Sequence, residues 1–447
     1  MEKTVTDREY TEEEKKSFAA KRAYIDSARA VLNDINHLQW YKTDKLDQVR
    51  SVKLKQVVGW HINNTPWFAA RVGDIKPDAV VVDKMSNLPI ISRQDIITAG
   101  EEFFAKKVPD HHGIPGSVKS SGSTGEPVEI KATNMTSMFL HAFNAQEHYW
   151  HRRDPKDRLI VIKAGIFENR ESPNYDTPLI LNTGPAYALN IYTDVSEQAK
   201  IIQEFKPDTM VIYPSNLDAL LDYWVENNSI PVIKHIKSIG ETLSARVRDK
   251  AWRILKIKIE DCYSSQELGT IANQCEAGMY HTADPNLIVE ILDENDQPVG
   301  VGEQGRVVAT DLHNYASPMI RYDTGDWAVR GGDCKCGRSW QTLTKVLGRT
   351  RNLMKFPDGR RYWPRVGMYE FDQLSFKIRR YQIIQHTVTD IEYKVQVDEL
   401  LTDEQKQELI TIAQAAMGTE FNITVADQTT LWPQAPNGKH EEFICRA

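Results

Sequence analysis

At 447 residues the chain exceeds one compact domain, and a large body with a smaller appendage is expected. Hydrophobic residues make up 41% and charged residues 26%, enough for a sizeable core under a surface of mixed sign. The net charge of −7 excludes general nucleic-acid binding, so an anionic substrate calls for a local basic site.

The opening stretch MEKTVTDREYTEEEKK is charged and lacks the apolar segment of a secretory signal. No apolar run approaches the roughly 18 residues of a membrane span. Five cysteines in a chain of this length make no disulfide framework. A soluble cytoplasmic protein with reduced thiols and neither nucleic-acid nor membrane partners is expected.

Apolar residues at i, i+3 and i+4 predict helices over residues 11–30 and 45–62. From Arg158 onward β-type runs alternate with amphipathic segments. RLIVIKAG and LILNTG read as strands, DVSEQAKIIQEF as a helix capped by Asp194 or Ser196, and DTMVIYP as a buried strand. NLDALLDYWVENN and HIKSIG continue the βαβ rhythm of a covered, largely parallel sheet. Between Leu287 and Asp326 the pattern becomes antiparallel, with LIVEILDENDQPVG and QGRVVATDL. Residues 348–364 read as a connector rich in Arg, Gly and Pro. The last 80 or so residues form a strand–strand–helix–strand pattern, its helix capped by Asp403 or Thr402 and ended by Gly418. The expected class is α/β: a body with mainly parallel sheets flanked by helices plus a β-rich subdomain, then a small α+β domain.

Several stretches carry candidate chemistry. SSGSTGEP at 120–127 clusters small and hydroxyl residues whose backbone N–H groups can approach oxyanions. The spacing of Gly122 and Gly125, and Glu126 in place of a lysine, exclude a Walker loop. Gly300, Gly302 and Gly305 match a dinucleotide fingerprint literally, but they follow a hairpin turn and lead into a strand, so a β-turn is expected. Asp326 in YDTGD suits a capped turn or the vicinal hydroxyls of a ribose. Glu267 in YSSQE follows a strand-like run, where it can serve as a helix N-terminal charge or hold Mg²⁺. Cys275, His281, Cys334 and Cys336 suit a closed tetrahedral zinc site, with free buried thiols as the alternative. His111 and His112 read as exposed polar residues, and Lys439, taken alone, as solvated surface.

In chain order these signals resemble the adenylate-forming superfamily of acyl-CoA synthetases, and within it the phenylacetate–CoA ligase-like and CapK-like group. The resemblance spans nearly the whole chain through SSGSTGEP, SIGETL, YSSQE, SPMIRYDTGD, LGRTRNLMKFPDGRRYWP and NGK. It implies a body over residues 1–348, a mobile C-terminal domain over 349–447 and a hinge about 349–353. Ser120, Ser121, Gly122, Ser123, Thr124 and Gly125 would embrace the ATP phosphates. Gly240, Glu241 and Tyr263 would line the adenine and acyl site, and Tyr213, Pro214, Ser215, Ile239 and Ser264 the acyl pocket. Glu267 would hold Mg²⁺, Asp326 the ribose hydroxyls, and Arg349 would lie near ribose and phosphate. Lys439 would be the adenylation lysine, Arg351 and Asn352 would act at the hinge, and Gly359 would border the channel for the thiol acceptor. The same resemblance favours structural zinc on the Cys/His set.

The implied function is ATP-dependent activation of a small carboxylic acid as acyl-adenylate, with pyrophosphate released and the acyl group passed to CoA. Delivery to an amine, a carrier protein or another nucleophile is one alternative, and a non-catalytic nucleotide-binding regulator another. A homodimer is among the assemblies open to it. The chain departs from the group's pattern at Glu126, at Ile239, at Ser264 after the tyrosine, and at Arg351 and Asn352, where acids are frequent.

Overall fold

The computed structural model describes residues 12–119, 128–174, 180–349, 354–358, 361–362, 371–417, 421–430 and 440–447. Helices come first: α1 (Glu12–Leu38), α2 (Thr43–Asn64), α3 (Pro66–Val72) and α4 (Arg93–Ala99). Leu32 and Ile35 carry the buried stripe of α1 past residue 30, so the helix outruns its predicted end. Leu46, Leu54, Val57, Val58 and His61 form the buried face of α2. Pro66 opens α3, where its missing N–H is no loss, and Ser92 with Asp95 closes a capping box on α4. Next come an antiparallel ribbon of β1 (Gly116–Lys119) and β2 (Glu129–Ala132), then α5 (Asn134–Trp150). Against expectation His112 is buried; its ring lies edge-on to Tyr315 at 4.6 Å.

Chain order continues with β3 (Leu159–Lys163), β4 (Arg170–Ser172), β5 (Ala186–Asn190), α6 (Val195–Phe205), β6 (Thr209–Ile212) and α7 (Pro214–Glu226). Then follow β7 (His235–Ser238), α8 (Ala245–Leu255), β8 (Ile259–Ser265), β9 (Gly269–Gln274) and β10 (Tyr280–Thr282). The last strands of this part are β11 (Leu287–Leu292), β12 (Gln304–Asp311), β13 (Tyr322–Arg330) and β14 (Thr342–Arg349). All twelve strands from β3 to β14 form one sheet, in the order β11-β12-β13-β14-β10-β9-β8-β7-β6-β3-β5-β4. Strands β5, β3, β6, β7 and β8 pair in parallel, and β8 meets β9 antiparallel. The βαβ half and the hairpin half therefore meet at β8. The glycine triplet at 300–305 forms a turn into β12, as expected, with Gly302 at φ +86°.

One predicted strand is absent. The apolar run at 179–184 forms no strand over its described residues, 180–184. Gly184 lies so close to the Lys156 carbonyl that a Cβ would meet that oxygen at 1.9 Å, and its N–H donates to Pro155 O. The ladder position passes to β5, with β4 antiparallel on its outer edge.

A second sheet closes the chain. Its surroundings include the short β15 (Met354–Lys355) and β16 (Arg361–Tyr362). Its strands are β17 (Ile378–Gln385), β18 (Asp390–Val397), β19 (Asn422–Gln428) and β20 (Phe443–Cys445), in the order β19-β18-β17-β20, with α9 (Asp403–Met417) between β18 and β19. Ile383, Tyr393, Val395, Leu409 and Phe421 give this unit a core of its own. Thr402 Oγ1 accepts from Gln405 N, and Gln405 Oε1 accepts from Thr402 N, so Thr402 is the cap of α9. Gly418 lies outside the described residues. No described helix is long and apolar enough to cross a membrane.

Candidate active site

The parallel strands end along one edge, where open α/β sheets place ligands. Tyr213, Pro214 and Ser215 follow β6, and Ile239, Gly240 and Glu241 follow β7. A cleft of about 820 Å³ opens there, its other wall built by β17 and the chain leading into β20. Pro214, Ser215, Gly240, Glu241, Tyr263, Ser264, Asp326 and Arg349 all line it. Tyr213 lies beneath, its ring under Gly240, and Ile239 packs on the core of the parallel half.

Gly240 stands at φ +78°, and a Cβ there would meet Tyr213 Cε1 at 3.0 Å. Gly240→Ala is therefore expected to cost about 1–2 kcal/mol from the left-handed backbone alone. A lowered melting temperature in calorimetry checks this.

At the cleft floor Tyr263 Oη donates to Asp326 Oδ2 at 2.8 Å, and Arg349 Nε meets Asp326 Oδ1 at 3.2 Å. Asp326 and Arg349 are cross-strand neighbours on β13 and β14, so sheet register holds the pair. Burial, then the Asp326 charge, pushes the Tyr263 phenol far above its ordinary value, so it stays a donor. The same carboxylate raises Arg349. Glu267 is buried in the turn between β8 and β9, with Arg93 Nη1 at 3.5 Å from its Oε1. Glu267 is not among the residues that line the cleft; its single carboxylate, just past Ser264 of the lining, is of the type that suits Mg²⁺, which takes one or two protein carboxylates and fills its shell with phosphate oxygens and water.

Glu241 is held from two sides. Ser215 N and Ser215 Oγ each donate to its carboxyl at 2.9 Å, and His440 N donates at 2.5 Å. Burial pushes its pKa up to about 7. Exposed ion pairs continue this junction: Lys377 reaches Asp222 at 3.2 Å, and Arg379 pairs with Glu226.

The fold matches known structures. 2-Hydroxyisobutyryl-CoA ligase, in the postadenylation state with R3-HIB-AMP, superposes with a TM-score of 0.73 over 92% of this chain and 91% of that one, at 16% identity. The chain therefore shares the fold of that ligase. The same ligase in its thioesterification state, with 2-HIB-AMP and CoA, gives a TM-score of 0.61 over 92% and 91%, at 17% identity. Among curated proteins, phenylacetate-coenzyme A ligase of Thermus thermophilus is 25% identical over 226 residues, 48% of this chain and 51% of that protein. The match thus spans about half the length of that relative. Phenylacetate-coenzyme A ligase of Escherichia coli is 22% identical over 345 residues, 72% of this chain and 75% of that protein. No protein-family model matches.

A second cluster sits at the opposite end of β14. Cys275 follows β9, His281 lies on β10, and Cys334 and Cys336 lie in the loop between β13 and β14. One ligand atom from each lies within 4.8 Å of every other. The Cys275 and Cys334 sulfurs are 3.6 Å apart, and Cys336 Sγ is 3.2 Å from His281 Nε2. His281 Nδ1 faces Trp340 O at 3.3 Å, which leaves Nε2 free to ligate, and burial drops its pKa to about 4. The donor set fits Zn²⁺ in both ligand type and number. Arg338 pins the loop by stacking over Trp150 at 4.5 Å and pairing with Glu276 at 2.9 Å.

Ser120 to Gly125, Arg351, Asn352, Gly359 and Lys439 lie outside the described residues. The sequence reading missed other groups at the cleft. Asp218 is buried between Arg246 at 2.5 Å and Lys250 at 2.6 Å, and fixes α7 against α8. Its signal was present: an acid inside the apolar face of one helix, and two cations at i, i+4 on the next. Arg380, which lines the cleft, and Arg93, which reaches Glu267 away from it, carried no sequence pattern.

Proposed function

We propose that the protein is an AMP-forming acid–thiol ligase: it activates a carboxylic acid with ATP and passes the acyl group to CoA. The Tyr263–Asp326–Arg349 cluster carries this reading, standing at the sheet's ligand edge in a cleft closed by a second sheet. Asp326, oriented by Tyr263 and Arg349, accepts the ribose hydroxyls, and Gly240 lets the backbone approach the adenylate. A substrate carboxylate oxygen attacks the α-phosphorus, and the bond to the β-phosphate oxygen breaks as pyrophosphate leaves. Two anions meet in this step, so catalysis is chiefly positioning and charge neutralisation. Arg349 and Lys439 supply cations, and Ser120 to Thr124 grip the departing phosphates. Glu267 would hold Mg²⁺, which would supply further charge for the phosphates. The thiol sulfur of CoA then attacks the acyl carbon and AMP leaves.

The higher TM-score against the postadenylation state than against the thioesterification state supports a C-terminal unit docked for the first step. Residues 349–447 then move as a domain about a hinge at 349–353, with Gly359 beside the incoming thiol. Pro214, Ser215 and Ser264 border the acyl group, with Tyr213 and Ile239 behind them. The Cys/His set holds structural zinc, and a cytoplasmic setting suits its reduced thiols.

Asp326→Ala should raise the KM for ATP roughly tenfold or more, the effect of losing hydrogen bonds to a charged acceptor. An unchanged KM contradicts the ribose role. Product analysis with CoA, amines and carrier thiols tests the acceptor. Acyl-CoA is expected; acyl-AMP taken up only by an amine or a carrier overturns the CoA step.

A further inference from the structure

We infer that one face of α7 is an electrostatic docking face for the C-terminal sheet: an acidic stripe that clasps the cations of β17 and sets how the two units are balanced between docked and undocked arrangements. Only the use of the docked arrangement, acyl-adenylate formation, rests on the ligase reading above; the contact itself does not. Asp218, Asp222 and Glu226 recur every four residues, so they share one face of the helix. Lys377 and Arg379 stand two residues apart at the start of β17, so they lie on one side of the strand. Lys377 Nζ is 3.2 Å from Asp222 Oδ1 and 3.5 Å from Glu226 Oε1, and Arg379 pairs with the same Glu226 oxygen.

Charges of opposite sign alternate along the whole contact. Asp218 is buried between Arg246 and Lys250 of α8, and Lys250 Nζ also reaches Asp222 at 2.8 Å. The body therefore orients Asp222 before Lys377 arrives. At the far end Arg379 pairs with Asp398, just past β18, at 2.8 Å. Burial pushes the Asp218 carboxyl up, but Arg246 and Lys250 outweigh it and hold the group below its ordinary range. Arg246 also attracts Glu442, just ahead of β20, and so makes a second crossing between the units.

Undocking would not affect these groups equally. Asp218 and Asp222 keep their cations on α8, and Arg379 keeps Asp398. Among the described residues, every ion pair of Glu226 and Lys377 crosses from one unit to the other. Those two side chains are paired only by docking. Both are exposed, and exposed pairs are individually weak and screened by salt. Weak polar contacts suit a joint that opens in every cycle, since they part without uncovering apolar surface. Interfaces between domains of one chain are more polar than permanent ones, and motion across them is the rule.

The test reads the arrangement directly. Dyes carried on non-natural side chains at Lys200 of α6 and Gln407 of α9, both exposed, report the docked and undocked fractions of the full-length protein by single-molecule energy transfer. Glu226→Lys turns two attractions into two repulsions, and the docked-to-undocked ratio should fall roughly tenfold. Lys377→Glu should act in the same direction, and the two substitutions together should bring the ratio back toward wild type. In wild-type protein the docked fraction should fall as salt rises to about 1 M, where the screening length is about 3 Å. That series needs no substitution and provides a second reading if a variant melts early. An unchanged ratio in Glu226→Lys, a double variant no better than either single one, or a wild-type fraction indifferent to salt overturns the docking face. Wild-type protein without acid-dependent ATP–pyrophosphate exchange removes the ligase reading and leaves the docking face standing, so the two failures are told apart.

Discussion

Lys439→Ala is expected to cut acid-dependent ATP–pyrophosphate exchange by roughly 10²–10³-fold, the scale of losing a charge-stabilising donor in a water-excluded site. The reason lies in the charge balance of the cleft. Arg349 is committed to Asp326, Arg246 to Asp218, and Arg379 to Asp398 and Glu226. Lys439 is the further cation, beside Arg349, that the ligase reading puts where the carboxylate approaches the α-phosphate. Consumption of pre-made acyl-adenylate has no pentavalent phosphorus to stabilise and should change little. Single-turnover assays of both half-reactions check this; parallel loss would remove Lys439 from its role.

Loss of the Cys/His cluster should have the largest effect on stability. Purified protein is expected to contain one zinc per chain. A Cys334→Ser, Cys336→Ser variant should lose it, at a cost of about 4–5 kcal/mol or more, the large class of loss to which a structural metal belongs. The damage should reach the cleft because β14 links the two: its first residue, Thr342, follows the cysteine loop, and its last is Arg349. At about 3.3 Å per residue that is a span of roughly 25 Å. Metal analysis and calorimetry decide; sub-stoichiometric zinc in a fully folded protein contradicts the structural role.

Local signals in the sequence carried much of this fold. Asp194 caps α6, the runs 209–212 and 235–238 are buried strands, and the C-terminal strand–strand–helix–strand order stands. Each depends on periodicity or capping within a few residues. What failed depends on contacts distant in sequence. LILNTG is as apolar as a strand, yet Gly184 is claimed by the turn at Pro155–Lys156. The merging of parallel and antiparallel halves at β8 is a pairing choice that neither half encodes alone. His112 reads as polar but is buried against Tyr315.

The candidate site divides in the same way. Asp326, Tyr263, Arg349 and Glu241 were found through their motifs, and the structure brings all four to one cleft. The cysteine and histidine set was found by residue type and converges although its pairs lie about sixty residues apart. The bond from His440 to Glu241 spans 199 residues and has no sequence signature. Glu126 lies outside the described residues.

The most direct measurement is ATP–pyrophosphate exchange by the purified protein across a panel of carboxylic acids. Label should pass from pyrophosphate into ATP only when an accepted acid is present, with AMP as the nucleotide product once CoA is added. Exchange that no acid stimulates, or turnover that yields ADP and phosphate, would contradict the assignment.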